Sequence, residues 1–196
     1  MPERQCGLFV GTATGPPGFE YVPGFLSAAE AETLLEAIGR MPLAAARYRE
    51  FTARRRVTYF GGEYDFSHQS LHPAPPIPPA LAPLRARVAA FAGIPARRFT
   101  HALIAEYSQG APLGWHRDIP DFELVAGLSL GTPARMQFRP YPPDPSDRRR
   151  YLNVLLEPNS LYLMRGAARW EWQHRIPAVR SLRYSITLRT LRERHA

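Results

Sequence analysis

The spacing of apolar residues changes character partway along the chain. Over residues 25–47 Ala, Leu and Glu dominate, and Leu34, Leu35 and Ile38 recur at helical spacing. Ser27 stands three residues before Glu30 in the form of a capping box, and Gly39 with Pro42 closes the run. This predicts a helix of roughly ten to thirteen residues. A second helix is predicted over 80–92, with Leu84, Val88 and Phe91 on one face and Gly93 with Pro95 ending it. Between the two, FTARRRVTYFGGEYDFSHQ mixes aromatic and β-branched residues around Gly61-Gly62, which reads as a strand, a turn and a return. The prolines of LHPAPPIPPALAP make it an extended connector.

From residue 98 the period shortens to two. FTHALIAEY, LVAGLSL, ARMQFRP, YLNVLLE, SLYLMR, WEWQHRI and RYSITLRTL are short runs between turn signals, and apolar and polar residues alternate through Ser185-Ile186-Thr187-Leu188-Arg189. PYPPDPSDRRR, residues 140–150, is a polar turn or insertion between strands. The prediction is a mainly β (α+β) single domain over 1–196. Helices and a flap, about 20–97, lead into a sandwich or jelly roll, about 98–191.

Composition narrows the partners. Hydrophobic residues make up 45% and charged residues 21%, as in a globular chain. The 21 Pro and 14 Gly weigh against a bundle of long helices. Lys+Arg outnumber Asp+Glu by 25 to 17, a net charge of +8, so an anionic partner is expected, nucleic acid first. The single cysteine, Cys6, excludes a disulfide within the chain and a cysteine zinc cluster, and it fits a reducing, cytoplasmic setting. MPERQCGLFV has no basic segment followed by an apolar core, so no signal peptide is expected. No run reaches about 18 apolar residues, so no membrane role is expected. A monomer is the expected state.

Chemistry concentrates at Trp115-His116-Arg117-Asp118. In an extended segment residues i and i+2 share a side, so His116 and Asp118 can approach one metal ion. His174, in WEWQHRIP, is the best third ligand. Two His and one carboxylate leave positions open for a co-substrate and O2 on Fe(II), although zinc hydrolases use the same ligand types. Arg183 and Arg189 are six positions apart and face one side of a strand. Turned inward they require an anion, and a dicarboxylate fits two forked guanidiniums; turned outward they are simply solvated. Trp115, Trp170 and Trp172 read as packing residues, with Trp170, Trp172 and His174 on one face if that segment is extended.

Residues from about 98 to 191 resemble the AlkB family of Fe(II)- and 2-oxoglutarate-dependent dioxygenases. AEYSQGAPLGWHRD resembles the family's Asn-x-Tyr segment leading into His-x-Asp, and VAGLSLGTPARMQFR the strand pair that follows. NSLYLMRGAARWEWQHRIP resembles the segment bearing the distal iron-binding His, and RYSITLR matches the Arg-x5-Arg strand. Upstream, YVPGFLSAAEAETLL resembles the family's N-terminal helix, and RRRVTYFGGEYDFS is similar to its nucleotide-recognition flap.

The resemblance implies a double-stranded β-helix of the cupin-like jelly-roll type. It implies His116, Asp118 and His174 as iron ligands, with 2-oxoglutarate and O2 as co-substrates. Arg183 is implied at the distal carboxylate of 2-oxoglutarate, Arg189 near the metal, and Tyr107 as a further hydrogen-bond donor. The implied reaction removes alkyl groups from nucleobases in DNA or RNA, releasing formaldehyde, succinate and CO2. Its target is a single-stranded or flipped base. His116 is implied on one face of that base, with Tyr59, Phe60 and Tyr64 as candidates for the other. Arg54, Arg55 and Arg56, and Arg148, Arg149 and Arg150, are candidates for the backbone phosphates. Two positions depart from the family pattern. Ala105 replaces the Asn, and Pro120 stands where repair enzymes often carry an acid, with Asp121 next to it. Two other readings stay open: an oxygenase acting on a protein or small molecule, and an inactive nucleic-acid-binding module.

Overall fold

A computed structural model describes residues 15–48, 51–65, 70–144 and 151–193. In chain order the elements are β1 (Phe19–Val22), α1 (Ala28–Gly39), β2 (Ala44–Tyr48), β3 (Phe51–Phe60), β4 (Glu63–Asp65), β5 (Ser70–His72), α2 (Ala82–Ala92), β6 (Phe99–Tyr107), β7 (Leu113–His116) and β8 (Phe122–Gly131). They continue with β9 (Ala134–Pro140), β10 (Leu152–Leu156), β11 (Ser160–Met164), α3 (Gly166–Trp170), β12 (Trp172–Ile176) and β13 (Arg183–Leu191).

The capping box forms as the sequence predicts. The Glu30 N–H donates to Ser27 Oγ at 3.2 Å, and the Ser27 N–H donates to Glu30 Oε2 at 2.8 Å. Ala31, Leu34 and Ile38 of α1 are buried. Gly93 ends α2 in the left-handed conformation at φ 70°, which a side chain would resist. The buried face of α2 is Leu84, Val88, Ala89 and Ala92, not the predicted stripe through Phe91. Small alanines let the helix seat close to the sheet. Phe91 stays 41% exposed, edge-on to Phe25 at 6.1 Å.

Two antiparallel sheets carry the fold. The larger runs β1-β11-β8-β13-β6-β3-β2 and the smaller β10-β9-β12-β7. The flap departs from the expected hairpin. β3 pairs with β2 and β6 and widens the large sheet, while β4 pairs with β5 in a separate small ribbon. Gly61 makes the break between them. At φ +79° a Cβ there would lie 1.9 Å from the Thr100 carbonyl oxygen. β2 is a strand that the Ala-rich sequence did not announce. Its pairing with β3 holds it extended where its own propensity is helical.

The large sheet packs on both faces. On one, α1 and α2 close a core through Leu34, Ile38, Leu84, Val88, Ile186 and Leu188. On the other, the small sheet closes a second core through Val57, Val125, Met136, Phe138, Leu156 and Ile176. The second core is incomplete, and the space it leaves is the site described next. Among the described residues no helix is long and apolar enough to cross a membrane.

Candidate active site

β7 and β12 lie side by side in the small sheet, and their register sets His116 opposite His174. The two rings are 4.2 Å apart. Asp118 is not on the strand, as the i, i+2 reading assumed. β7 ends at His116, and the chain beyond it brings Asp118 Oδ2 to 3.8 Å from His174 Nε2. One donor atom from each of His116, Asp118 and His174 lies within 4.8 Å of the others, a spread suited to three ligands of one ion.

The charge states suit a divalent metal. Burial pushes His116 below its ordinary value and His174 down to about 3, so both imidazoles are neutral with a lone pair to offer. The His116 Nδ1 is 2.9 Å from the Gly114 carbonyl. A carbonyl only accepts, so Nδ1 carries the proton and Nε2 is the ligand atom. Burial alone would raise Asp118, but the guanidiniums, Arg189 first and Arg169 with it, outweigh it and hold the carboxyl well below the usual range. Arg189 donates to Oδ1 from Nε at 3.0 Å and from Nη2 at 2.9 Å, which leaves Oδ2 turned to the histidines.

These groups stand in a cavity of about 740 Å³ between the sheets, within the range of ligand sites. Arg183 lies inside it, 2% exposed. Its Nε donates to Ser129 Oγ at 3.2 Å, its Cζ lies 5.0 Å from the centre of the Tyr107 ring, and its Nη1 has no partner among the described residues. A buried guanidinium with an unused N–H is costly, and a carboxylate accepting that N–H removes the cost. The inward reading of Arg183 is the one the fold adopts.

The other predicted residues divide. Tyr107, Arg54, Tyr59 and Tyr64 line the cavity, as do Arg55 and Ala105. Arg56 does not. It turns away from the face that carries Arg55 and Tyr59 and donates to both Glu106 carboxylate oxygens at 2.8 and 2.7 Å. Phe60 likewise faces the helices and belongs to their core. Asp121 lies outside the cavity lining. Trp170 closes α3 instead of sharing a strand face with Trp172 and His174. Arg148, Arg149 and Arg150 lie outside the described residues.

Two residues escaped the sequence reading. Arg169 is buried and donates from Nε and Nη2 to the Phe122 carbonyl at 3.1 and 2.7 Å, clamping the loop that carries Asp118. Nothing in GAARW signals this. His101 is also buried, with Nδ1 2.8 Å from Thr100 Oγ1 and Nε2 without a partner among the described residues. It had a signal, because period two in FTHALIAEY puts it on the cavity face with Leu103, Ala105 and Tyr107.

The sequence model of the 2OG-Fe(II) oxygenase superfamily matches residues 18–189. The chain belongs to this superfamily. Fe(II), 2-oxoglutarate and O2 are the superfamily's reagents, and the neutral His pair, the ionised Asp118 and the unpartnered Arg183 Nη1 fit them. This oxygenase domain is 27% identical over 192 residues to the human alpha-ketoglutarate-dependent dioxygenase alkB homolog 3, covering 86% of this chain and 64% of the relative. It is 28% identical over 184 residues to the Arabidopsis thaliana alkylated DNA repair protein ALKBH8 homolog, covering 82% and 51%. The domain is therefore AlkB-like, and it spans between half and two thirds of the length of these curated relatives. Among solved structures it superposes on OsALKBH1 with a TM-score of 0.70 at 16% identity, covering 90% of this chain and 98% of that one. It superposes on a Pseudomonas putida prolyl-4-hydroxylase with a TM-score of 0.62 at 16% identity, covering 90% and 94%. At such identity the likeness is one of fold, the double-stranded β-helix.

Proposed function

We propose that this domain oxidatively dealkylates N-alkylated nucleobases in DNA or RNA. One observation carries the reading. A single cavity holds the metal triad, an anion-seeking arginine and an aromatic wall from the flap, so oxidant and planar substrate meet in one place. His116, Asp118 and His174 hold Fe(II). Arg183 takes the distal carboxylate of 2-oxoglutarate through Nη1, and the Tyr107 hydroxyl supports it. Arg189 fixes the Asp118 carboxylate. With 2-oxoglutarate and O2 bound, the iron centre supplies the oxidation: 2-oxoglutarate becomes succinate and CO2, and an N-methyl becomes a hydroxymethyl that leaves as formaldehyde.

The protein's part is placement. Tyr59 and Tyr64 wall the base, and Arg54 and Arg55 meet the phosphates beside it. The alkB homolog 3 and ALKBH8-type relatives, named for dioxygenase activity and for alkylated DNA repair, support this substrate class. The test is the mass of a single-stranded oligonucleotide bearing N1-methyladenine after incubation with Fe(II), ascorbate, 2-oxoglutarate and air. Loss of one methyl group that needs 2-oxoglutarate and disappears in His116→Ala is expected. Succinate release with an unchanged oligonucleotide would instead direct the search to protein or small-molecule substrates.

A further inference from the structure

The small sheet has a second face. His116 and His174 point into the cavity, so alternation turns their neighbours Trp115 and Arg175 outward. On β9 Arg139 likewise alternates with the core residues Met136 and Phe138. The Arg139 and Arg175 guanidiniums lie 4.4 and 4.7 Å from the centre of the Trp115 ring, and the Tyr151 ring stands 5.2 Å from it. Each arginine is braced from the neighbouring strand. Arg139 Nε donates to Gln173 Oε1 at 2.8 Å, and Arg175 Nε donates to Gln137 Oε1 at 2.7 Å.

Among the described residues no carboxylate neutralises the two arginines of this face. None of β7, β9, β10 and β12 contains an Asp or a Glu. Among the described residues no ion pair joins Arg139 or Arg175 to a carboxylate, whereas Arg56, Arg87, Arg165 and Arg189 each have one. Two cations are thus held around one indole by amides that satisfy their geometry and leave their charge. A face with fixed positive charge, a half-buried indole and an exposed Tyr151 ring matches the sugar-phosphate backbone and bases of a single strand. The face also reaches the reaction site, because Trp115 and its neighbour Arg117 line the cavity.

We propose that this outer face, centred on Arg139, Arg175 and Trp115, is the track for the nucleic-acid strand whose base enters the cavity. The track deepens the dealkylase reading and rests on it for the identity of the polymer. A strand leaving the cavity at Trp115 passes onto the outer face of the same sheet, so the iron ligands and the track are set by one alternation.

The test is fluorescence anisotropy of a labelled, unmodified oligothymidylate of about 20 nucleotides, titrated with the full chain over a series of salt concentrations. The proteins are wild type, Arg139→Gln/Arg175→Gln and Arg139→Lys/Arg175→Lys. For the glutamine pair the expected Kd is about tenfold higher, and the slope of log K against log salt is shallower by about 1.4, two contacts at about 0.7 each. The lysine pair keeps the charge and is expected to keep the slope. Wild-type affinity and slope in the glutamine pair overturn the track. So does a lysine pair as weak as the glutamine pair, which would make the face a packing motif, and so does a wild type that does not bind. Methyl loss from the modified oligonucleotide is read in parallel. Arginine-dependent binding without methyl loss sinks the dealkylase reading and keeps the track. Methyl loss with binding indifferent to both arginines does the reverse.

Discussion

β13 shows two uses of one strand. Ile186 and Leu188 turn to the helices and are wholly buried among apolar neighbours. Arg183, Ser185, Thr187 and Arg189 turn to the cavity. The helix side removes hydrocarbon from water and stabilises the fold. The cavity side keeps guanidiniums, imidazoles and a carboxylate out of water, some without partners, and it costs stability that the helix side supplies. Stability and chemistry are therefore separable by residue parity along a strand.

The largest expected effect lies on the cavity side. His174→Ala removes one of three ligands. Succinate release at a fixed iron concentration is expected to fall by at least about a hundredfold, since losses even in outer-shell partners reach that size. The metal-free variant is expected to melt no lower than the metal-free wild type. A melting midpoint well below it would mean that the histidine is structural.

Next comes a pair of substitutions five residues apart on β13, an odd number that puts them on opposite faces. Leu188→Ala opens a cavity in the helix-side core and is expected to cost about 2–5 kcal/mol in denaturant unfolding, with the KM for 2-oxoglutarate retained by the protein that stays folded. Arg183→Met should do the opposite. It removes a buried charge, so stability is held or gained, while the KM for 2-oxoglutarate rises by about 30-fold or more. If Arg183→Met unfolds as readily as Leu188→Ala, the two faces are not separable and the comparison fails.

That parity was readable in advance wherever local pattern alone sets it. The alternation through Ser185–Arg189, the capping box at Ser27 and the Gly93 helix stop depend on neighbours in sequence, and all three appear in the fold. Features set by distant partners were not readable. β2 is a strand only because β3 lies beside it. β3 enters the large sheet instead of folding back on β4 because Gly61 turns the chain away over Thr100. Arg169 acts through the Phe122 carbonyl 47 residues upstream, and no spacing rule links them. In the site, His116, Asp118 and His174 were legible as residue types. The loop that lets Asp118 leave the strand and still reach the metal position was not. Arg56 and Arg54 have the same parity in β3 and looked equivalent in an arginine run; the register against β2 shifts between them, from Ala45 opposite Arg56 to Arg47 opposite Thr52, and this irregularity has no local signal.

A smaller effect tests the electrostatics of the cavity side. His174 titrates at about 3 when folded, against 6.5 for the open chain, and burial shifts His116 the same way. Below pH 6.5 the unfolded chain takes up protons that the folded chain refuses. Metal-free protein is therefore expected to lose stability as pH falls from 6.5 toward 3, by up to about 1.4 kcal/mol per pH unit for each imidazole. Asp118 adds to the fall only lower down, because its carboxyl is held below the ordinary 3.8. His174→Ala should flatten the upper part of this slope. An unchanged slope would place the responsible groups elsewhere than at His174.

The smallest effect tests the edge of the large sheet, where the register of β3 against β2 shifts. Arg54 and Arg56 carry the same charge two residues apart, and the sequence treats them alike. Arg54 lines the cavity, whereas Arg56 pairs with Glu106, which also accepts from the Tyr184 hydroxyl at 3.1 Å. The Arg56 side chain is half exposed, so Arg56→Gln should move the melting midpoint very little. Because Glu106 already neutralises Arg56, its loss should weaken oligonucleotide binding less than Arg54→Gln does, measured side by side at low salt. Equal losses from the two variants would mean that the strand meets Arg56 as well as Arg54, and that the Glu106 pair does not take Arg56 out of the binding surface at this edge of the sheet.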